Sequence, residues 1–149
     1  MYKFLLFIHV FAAIAMLGPT YLLPALMRMR GDPPSVTVLR VEYLIGRYAT
    51  AFTVVALATG AGLMSTSPLV NDRVSEAVWL HIAITLFLIV AGLGTGFAGP
   101  RMKKALKAGE AGDAAEVRRL LDPLDKVVGP IMGLLTAVIL YLMLMKPEF

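Results

Sequence analysis

Long stretches without charge are the feature that most constrains this chain. Phe4 to Met27, Tyr48 to Asn71, Val78 to Pro100 and Val127 to Met145 contain no Lys, Arg, Asp or Glu. A helix needs about 20 mostly apolar residues to cross the hydrocarbon of a bilayer, and all four runs approach or exceed that length. Pro68 ends the second helix near Met64, and helical ends extend the later runs slightly. The spans are therefore expected at about residues 4–27, 44–64, 78–99 and 125–145. They form one domain over 1–149, an all-α, antiparallel four-helix bundle within the membrane. The first run has the outline of a signal peptide, with Lys3 ahead of it and Ala13-Ile14-Ala15 within it. Its apolar stretch continues to Met27, however, beyond the ~7–15 residues of a signal core, and a retained span is expected.

Composition supports this class. Hydrophobic residues make up 58% of the chain and charged residues 16%, against roughly 45–50% and 25% in soluble domains. The absence of cysteine excludes disulfides, thiolate zinc sites and iron–sulfur clusters. Basic residues set the expected orientation. Arg28, Arg30, Arg40 and Arg47 fall in the first connection. Arg101, Lys103, Lys104, Lys107, Arg118, Arg119 and Lys126 fall in the third. Only Lys3, Arg73 and Lys146 lie on the other side, so eleven of the 14 basic residues share one face of the membrane. In a bacterial plasma (inner) membrane this places loops 28–47 and 101–126 in the cytoplasm and both termini outside. The net charge of +4 then reports topology rather than a nucleic-acid partner, and the bilayer is the first partner. Five acids (Glu110, Asp113, Glu116, Asp122, Asp125) dilute the third connection as a lipid-binding surface.

Local signals punctuate the loops. Ser35, after Asp32-Pro33-Pro34, can cap a helix running through Val38, Val41 and Leu44. Asp113 with Glu116 has the spacing of a capping box for a short helix ending near Leu121. Asp122-Pro123 reads as a cap and first-turn proline starting span four. An internal duplication is suggested by an early His in spans one and three, and by an acid four residues before a Gly at Glu42 and Asp125. Helices in lipid pack through small and weakly polar residues, so Gly92, Gly96, Gly129 and Gly133 are expected to carry helix packing.

Much chemistry is absent. None of the ten acids falls inside the four uncharged runs, so the buried carboxylate typical of proton-coupled carriers is missing. The four serines lie in loops or at span ends, and there is no phosphate-binding or dinucleotide fingerprint. His9 and His81 remain. Both lie a few residues inside parallel spans, at nearly one depth, with Ala12, Ala13 and Met16 continuing the face of His9, and Thr85, Leu88 and Gly92 that of His81. If these faces are interior, two imidazoles suit the axial positions of a b-type haem iron. A copper site with Met16 or Met64, or histidines that only bond neighbouring helices, are the other readings.

Leu5-Leu6-Phe7-Ile8-His9 through Gly18-Pro19 to Arg28, Gly99-Pro100-Arg101-Met102 and Leu142-Met143-Leu144-Met145-Lys146-Pro147 together resemble a family of four-span bacterial integral-membrane proteins without an assigned activity. More distantly, His9 with Gly18, Tyr21-Leu22 and Pro24, and Trp79-Leu80-His81, resemble the first and third spans of haem-dependent four-span protoporphyrinogen oxidases. The copper-resistance D membrane proteins share a similar first span. The oxidase resemblance implies a haem ligated by His9. Ala83 stands where that family has a Lys, and Met16-Leu17 where it has a Trp before the Gly, so the oxidase activity is not expected and His81 is the candidate second ligand. Two functions follow: a bis-His haem b protein of membrane redox chemistry, or a haem-free accessory or scaffolding subunit that binds a partner or its own copy. A carrier of a small ligand or metal is a weaker third.

Overall fold

The computed structural model describes residues 1–66 and 78–145; Pro68, Arg73 and Lys146 lie outside them. Apolar composition and low charge give helix throughout: α1 (Tyr2–Thr20), α2 (Leu23–Met29), α3 (Val36–Thr66), α4 (Val78–Gly92), a π-helical segment (Leu93–Ala98), α5 (Gly99–Glu110), α6 (Ala114–Pro123), a second π-helical segment (Leu124–Val128) and α7 (Gly129–Met145). These join into four membrane-crossing rods, Tyr2–Met29, Val36–Thr66, Val78–Glu110 and Ala114–Met145. The protein is an all-α, four-span membrane bundle.

The last three rods have 31, 33 and 32 residues. At ~1.5 Å per residue each is roughly 47–50 Å long, against a hydrocarbon thickness of ~30 Å. The excess gathers at the end carrying the arginine- and lysine-rich turns, which we call the basic end. Turns there use glycine at positive φ, Gly31 (74°) between α2 and α3 and Gly112 (78°) between α5 and α6, a region that side chains bearing Cβ disfavour.

The helices pair as two hairpins, α1 on α3 and α4 on α7. His9 meets Ala56 and Thr59 while Met16 meets Thr53, so α1 and α3 run antiparallel. The hairpins join at the basic end, where α5 packs on both α3 and α6. There Leu39, Ala105, Val117, Leu121 and Leu124 form the buried apolar core, with Phe97, Met102 and Leu106 against it. This core sits largely beyond the hydrocarbon, where burying an aliphatic side chain from water contributes about 1.5–3 kcal/mol. Inside a bilayer that driving force vanishes, because lipid is as apolar as leucine.

The same physics sets which face of α3 turns inward. Leu39, Glu42, Ala56 and Thr59 are its buried residues, whereas Val41 and Leu44 are exposed. The helix starts after Ser35 as expected; its branched apolar stripe faces outward, and the stripe with small and polar members faces in.

Asp113 caps α6, accepting from the Glu116 backbone N–H at 3.0 Å. Asp122-Pro123 does not begin a new helix. The rod runs through it, and Asp122 bonds Lys126 one turn on, at 2.6 Å. A mid-helix proline clashes with the carbonyl four residues back. The two π turns precede two other mid-helix prolines, Pro100 and Pro130, and accommodate that crowding there. Both π segments lead into a Gly-Pro pair, Gly99-Pro100 and Gly129-Pro130, and the glycine N–H groups reach back five residues to Gly94 O and Leu124 O. The third Gly-Pro pair, Gly18-Pro19, lies just before the irregular turn at Tyr21-Leu22 that separates α1 from α2.

Candidate functional site

His9 is held on α1 by three features of α3. Its Nδ1 lies 2.9 Å from the Ala56 carbonyl oxygen and 3.1 Å from Thr59 Oγ1. Thr59 Oγ1 is itself 2.7 Å from the Val55 carbonyl, to which it donates. Both neighbours of Nδ1 are therefore acceptors, so Nδ1 carries the proton and Nε2 presents its lone pair. Gly60 provides the room: a Cβ there would lie 3.2 Å from His9 Cε1. Ala12, one turn along, is fully buried, and Met16 Sδ accepts from Thr53 Oγ1 at 3.1 Å. The face expected to run inward from His9 does so.

The face running from His81 does not. His81, Thr85, Leu88 and Gly92 are exposed, whereas Leu80 and Ala83 are the buried residues of α4. The two histidines occupy the same end of the bundle but belong to different hairpins. His9 turns onto α3, and His81 lies on an outward face. That face continues through Thr95, Gly96 and Gly99, all exposed. It makes a small, weakly polar stripe along the whole third span. The Thr85 and Thr95 hydroxyls donate to the His81 and Ala91 carbonyls at 2.8 and 2.7 Å, which satisfies them within their own helix. A Cβ at Gly92, Gly96 or Gly133 would meet nothing within 4 Å, and one at Gly129 would meet its own helix at Leu124 O. Close approach inside the chain instead uses Gly60, Gly62, Gly94 and Gly109, which face His9, Leu5, Met132 and Leu39.

A polar cluster closes the basic end. Arg30 Nε donates to both carboxylate oxygens of Glu42 at 2.9 Å, and its Nη1 and Nη2 donate to Asp125. Glu42 is 1% exposed and Arg30 8%. Burial works against the charge of Arg30, but its bonds to the two carboxylates outweigh it and hold its pKa above the ordinary guanidinium value. Because Arg30 ends the first rod and Asp125 lies in the fourth, this contact closes the ring of helices. The sequence reading missed it. The available signal was the acid before a glycine in each half, Glu42 and Asp125. These two acids converge on one arginine.

Among the described residues, no group of three or more His, Asp or Glu side chains is placed to hold a metal ion. Comparison with known protein families, with curated proteins and with solved structures returns no match.

Proposed function

We propose that this protein is an accessory or scaffolding subunit that docks another transmembrane helix along the exposed His81–Gly99 face of its third span. The observation that carries this reading is the placement of that face. Small and hydroxyl-bearing residues are what membrane helices pack through, and here they point away from the chain's own bundle, with nothing within 4 Å of a Cβ at Gly92 or Gly96. A purely lipid-facing helix has no use for Gly92 and Gly96 on one stripe, since each glycine costs about 0.8–1 kcal/mol of helix propensity relative to alanine. The neighbour is a second copy or a partner subunit. Extraction in mild detergent followed by sizing with mass detection tests the reading. The expected result is an assembly larger than one chain that falls to a single chain in Gly92→Leu/Gly96→Leu, with helix content unchanged. A wild-type protein that is a lone chain with nothing co-purifying would overturn it.

A second reading, haem b binding, is favoured by the state of His9. A histidine whose Nδ1–H is donated to a backbone carbonyl has its Nε2 oriented and available to a metal, the usual arrangement of metal-bound imidazoles. His9 would hold the iron through Nε2, and His81, which lies on the outward face of the other hairpin, would be the second ligand. Haem, when bound, would supply one-electron redox chemistry. Protein from haem-replete cells should show a Soret band that His9→Ala abolishes. Its absence in the wild type would end this reading.

A further inference from the structure

We propose that the exposed lysine stripe of α5, Lys103, Lys104 and Lys107, is a docking surface for the phosphate headgroups of anionic phospholipids. The acids of the third connection are all otherwise engaged. Glu110 pairs with Arg40 at 2.8 Å, Glu116 with Arg119 at 2.7 Å, and Asp122 with Lys126 at 2.6 Å. Asp125 belongs to the Arg30 cluster, and Asp113 caps α6. Across the turn, Asp32 pairs with Arg118. Arg101 is engaged too, its guanidinium carbon 3.4 Å from the centre of the Phe97 ring. Among the described residues, Lys103, Lys104 and Lys107 are in none of these ion pairs, and all three are exposed. Glu116 lies within electrostatic reach of Lys104, but its carboxylate is bonded to Arg119 through both oxygens.

Position specifies the occupant. The three lysines lie at helical spacing on the side of α5 opposite buried Ala105. Val78 to Pro100 is free of charge, so the hydrocarbon boundary falls near Pro100. At ~1.5 Å per residue, Lys103 to Lys107 stand roughly 5–10 Å beyond it, in and just past a headgroup layer about 5–8 Å deep. The N-terminus of α5 points toward the membrane, and helical Cα–Cβ bonds tilt toward the N-terminus. The side chains therefore lean back toward the phosphates, with apolar stems along the interface and ammonium groups in the polar layer. An acidic protein segment would have to reach the stripe through that same layer.

The test uses the full-length protein in nanodiscs of phosphatidylcholine containing a minor fraction of phosphatidylglycerol, with co-isolated lipid counted after detergent exchange. Wild type should retain phosphatidylglycerol over phosphatidylcholine. Lys103→Gln/Lys104→Gln/Lys107→Gln should lower its affinity by on the order of a hundredfold, and raising salt should weaken wild-type retention. Arg118→Gln, which removes a paired cation on α6, should leave retention within about twofold, as a rim charge already neutralised would. Equal retention by wild type and the lysine variant, with helix content matched, would overturn the proposal. So would loss of a protein partner from the variant without loss of lipid, which would assign the stripe to an acidic partner.

Discussion

At the scale of single residues, the Arg30 cluster sets the largest stakes. Two carboxylates share one guanidinium, and the more buried of them, Glu42, has no other cation in the cluster. Removing the arginine would strand a carboxylate that is 1% exposed. Breaking a buried ion pair from one side costs about 3–5 kcal/mol. Arg30→Ala should therefore lower the midpoint of unfolding in detergent far more than Asp125→Asn, whose side chain is 26% exposed and can recruit water. The double variant Arg30→Met/Glu42→Leu should recover most of the loss, because it removes both charges from a site flanked by apolar packing. Equal midpoints for Arg30→Ala and wild type would show that water already reaches Glu42. A purely steric residue complements this electrostatic one. A Cβ on Gly109 would lie 2.8 Å from Leu39 Cδ1, in the core where α3 meets α5. Gly109→Ala should therefore destabilise by about 1–3 kcal/mol through overpacking, although alanine is the better helix former. Thermal unfolding followed by circular dichroism reads both variants.

At the scale of elements, the π turns are what the prolines require. Pro100 and Pro130 lack the N–H that an α-helix would use, and their rings crowd the carbonyls of Gly96 and Lys126. Opening the preceding turn to a five-residue step relieves that crowding and leaves a glycine, 99 or 129, where a Cβ would stand 3.2 or 3.1 Å from the bonded carbonyl oxygen. Gly129→Ala should therefore loosen the second π turn, speeding amide exchange at residues 124–130 relative to the rest of α7. Unchanged exchange there would show that the turn gives by a few tenths of an ångström without cost. Asp113→Ala should cost about 1 kcal/mol by removing the α6 cap. These elements also show where sequence was readable. The Asp113 cap and the uncharged spans rest on local chemistry, and the structure bears them out. Asp122-Pro123 has the composition of a helix start, yet continues a helix, because the decision lies in the packing of Leu121 and Leu124 on α3 and α5. The inward face of α3 is not legible locally, for a different reason. Periodicity locates an apolar stripe, but a membrane helix offers that stripe to lipid, so no local pattern marks Glu42 as a residue that faces in. His9 was placed on the correct face by its neighbours Ala12 and Met16. The outward face of His81 depends on which hairpin α4 joins, and no local pattern encodes that.

At the scale of the whole molecule, the two hairpins are tied at one end and packed chiefly within themselves along the spans. Windows of the four spans are only 6% to 11% buried inside the chain. Most span surface is thus given to lipid or to other helices, while the water-exposed basic end holds the apolar core and the Arg30 cluster. Stability should accordingly respond to the basic end more than to the histidine end. Orientation across the membrane is the property that links this asymmetry to the docking surfaces. The eleven basic residues of the first and third connections predict that the basic end faces the cytoplasm. That is the leaflet where juxtamembrane lysines gain most from anionic lipid. The chain has no cysteine of its own, so single-cysteine variants can be labelled without background. In intact cells, a membrane-impermeant maleimide should label Lys3→Cys and leave Ala115→Cys, exposed on α6, unlabelled until the membrane is opened. In inverted vesicles the pattern should exchange. Labelling of Ala115→Cys in intact cells would place the basic end outside. The basic stripe would then face the opposite leaflet, and the charge asymmetry would need another cause.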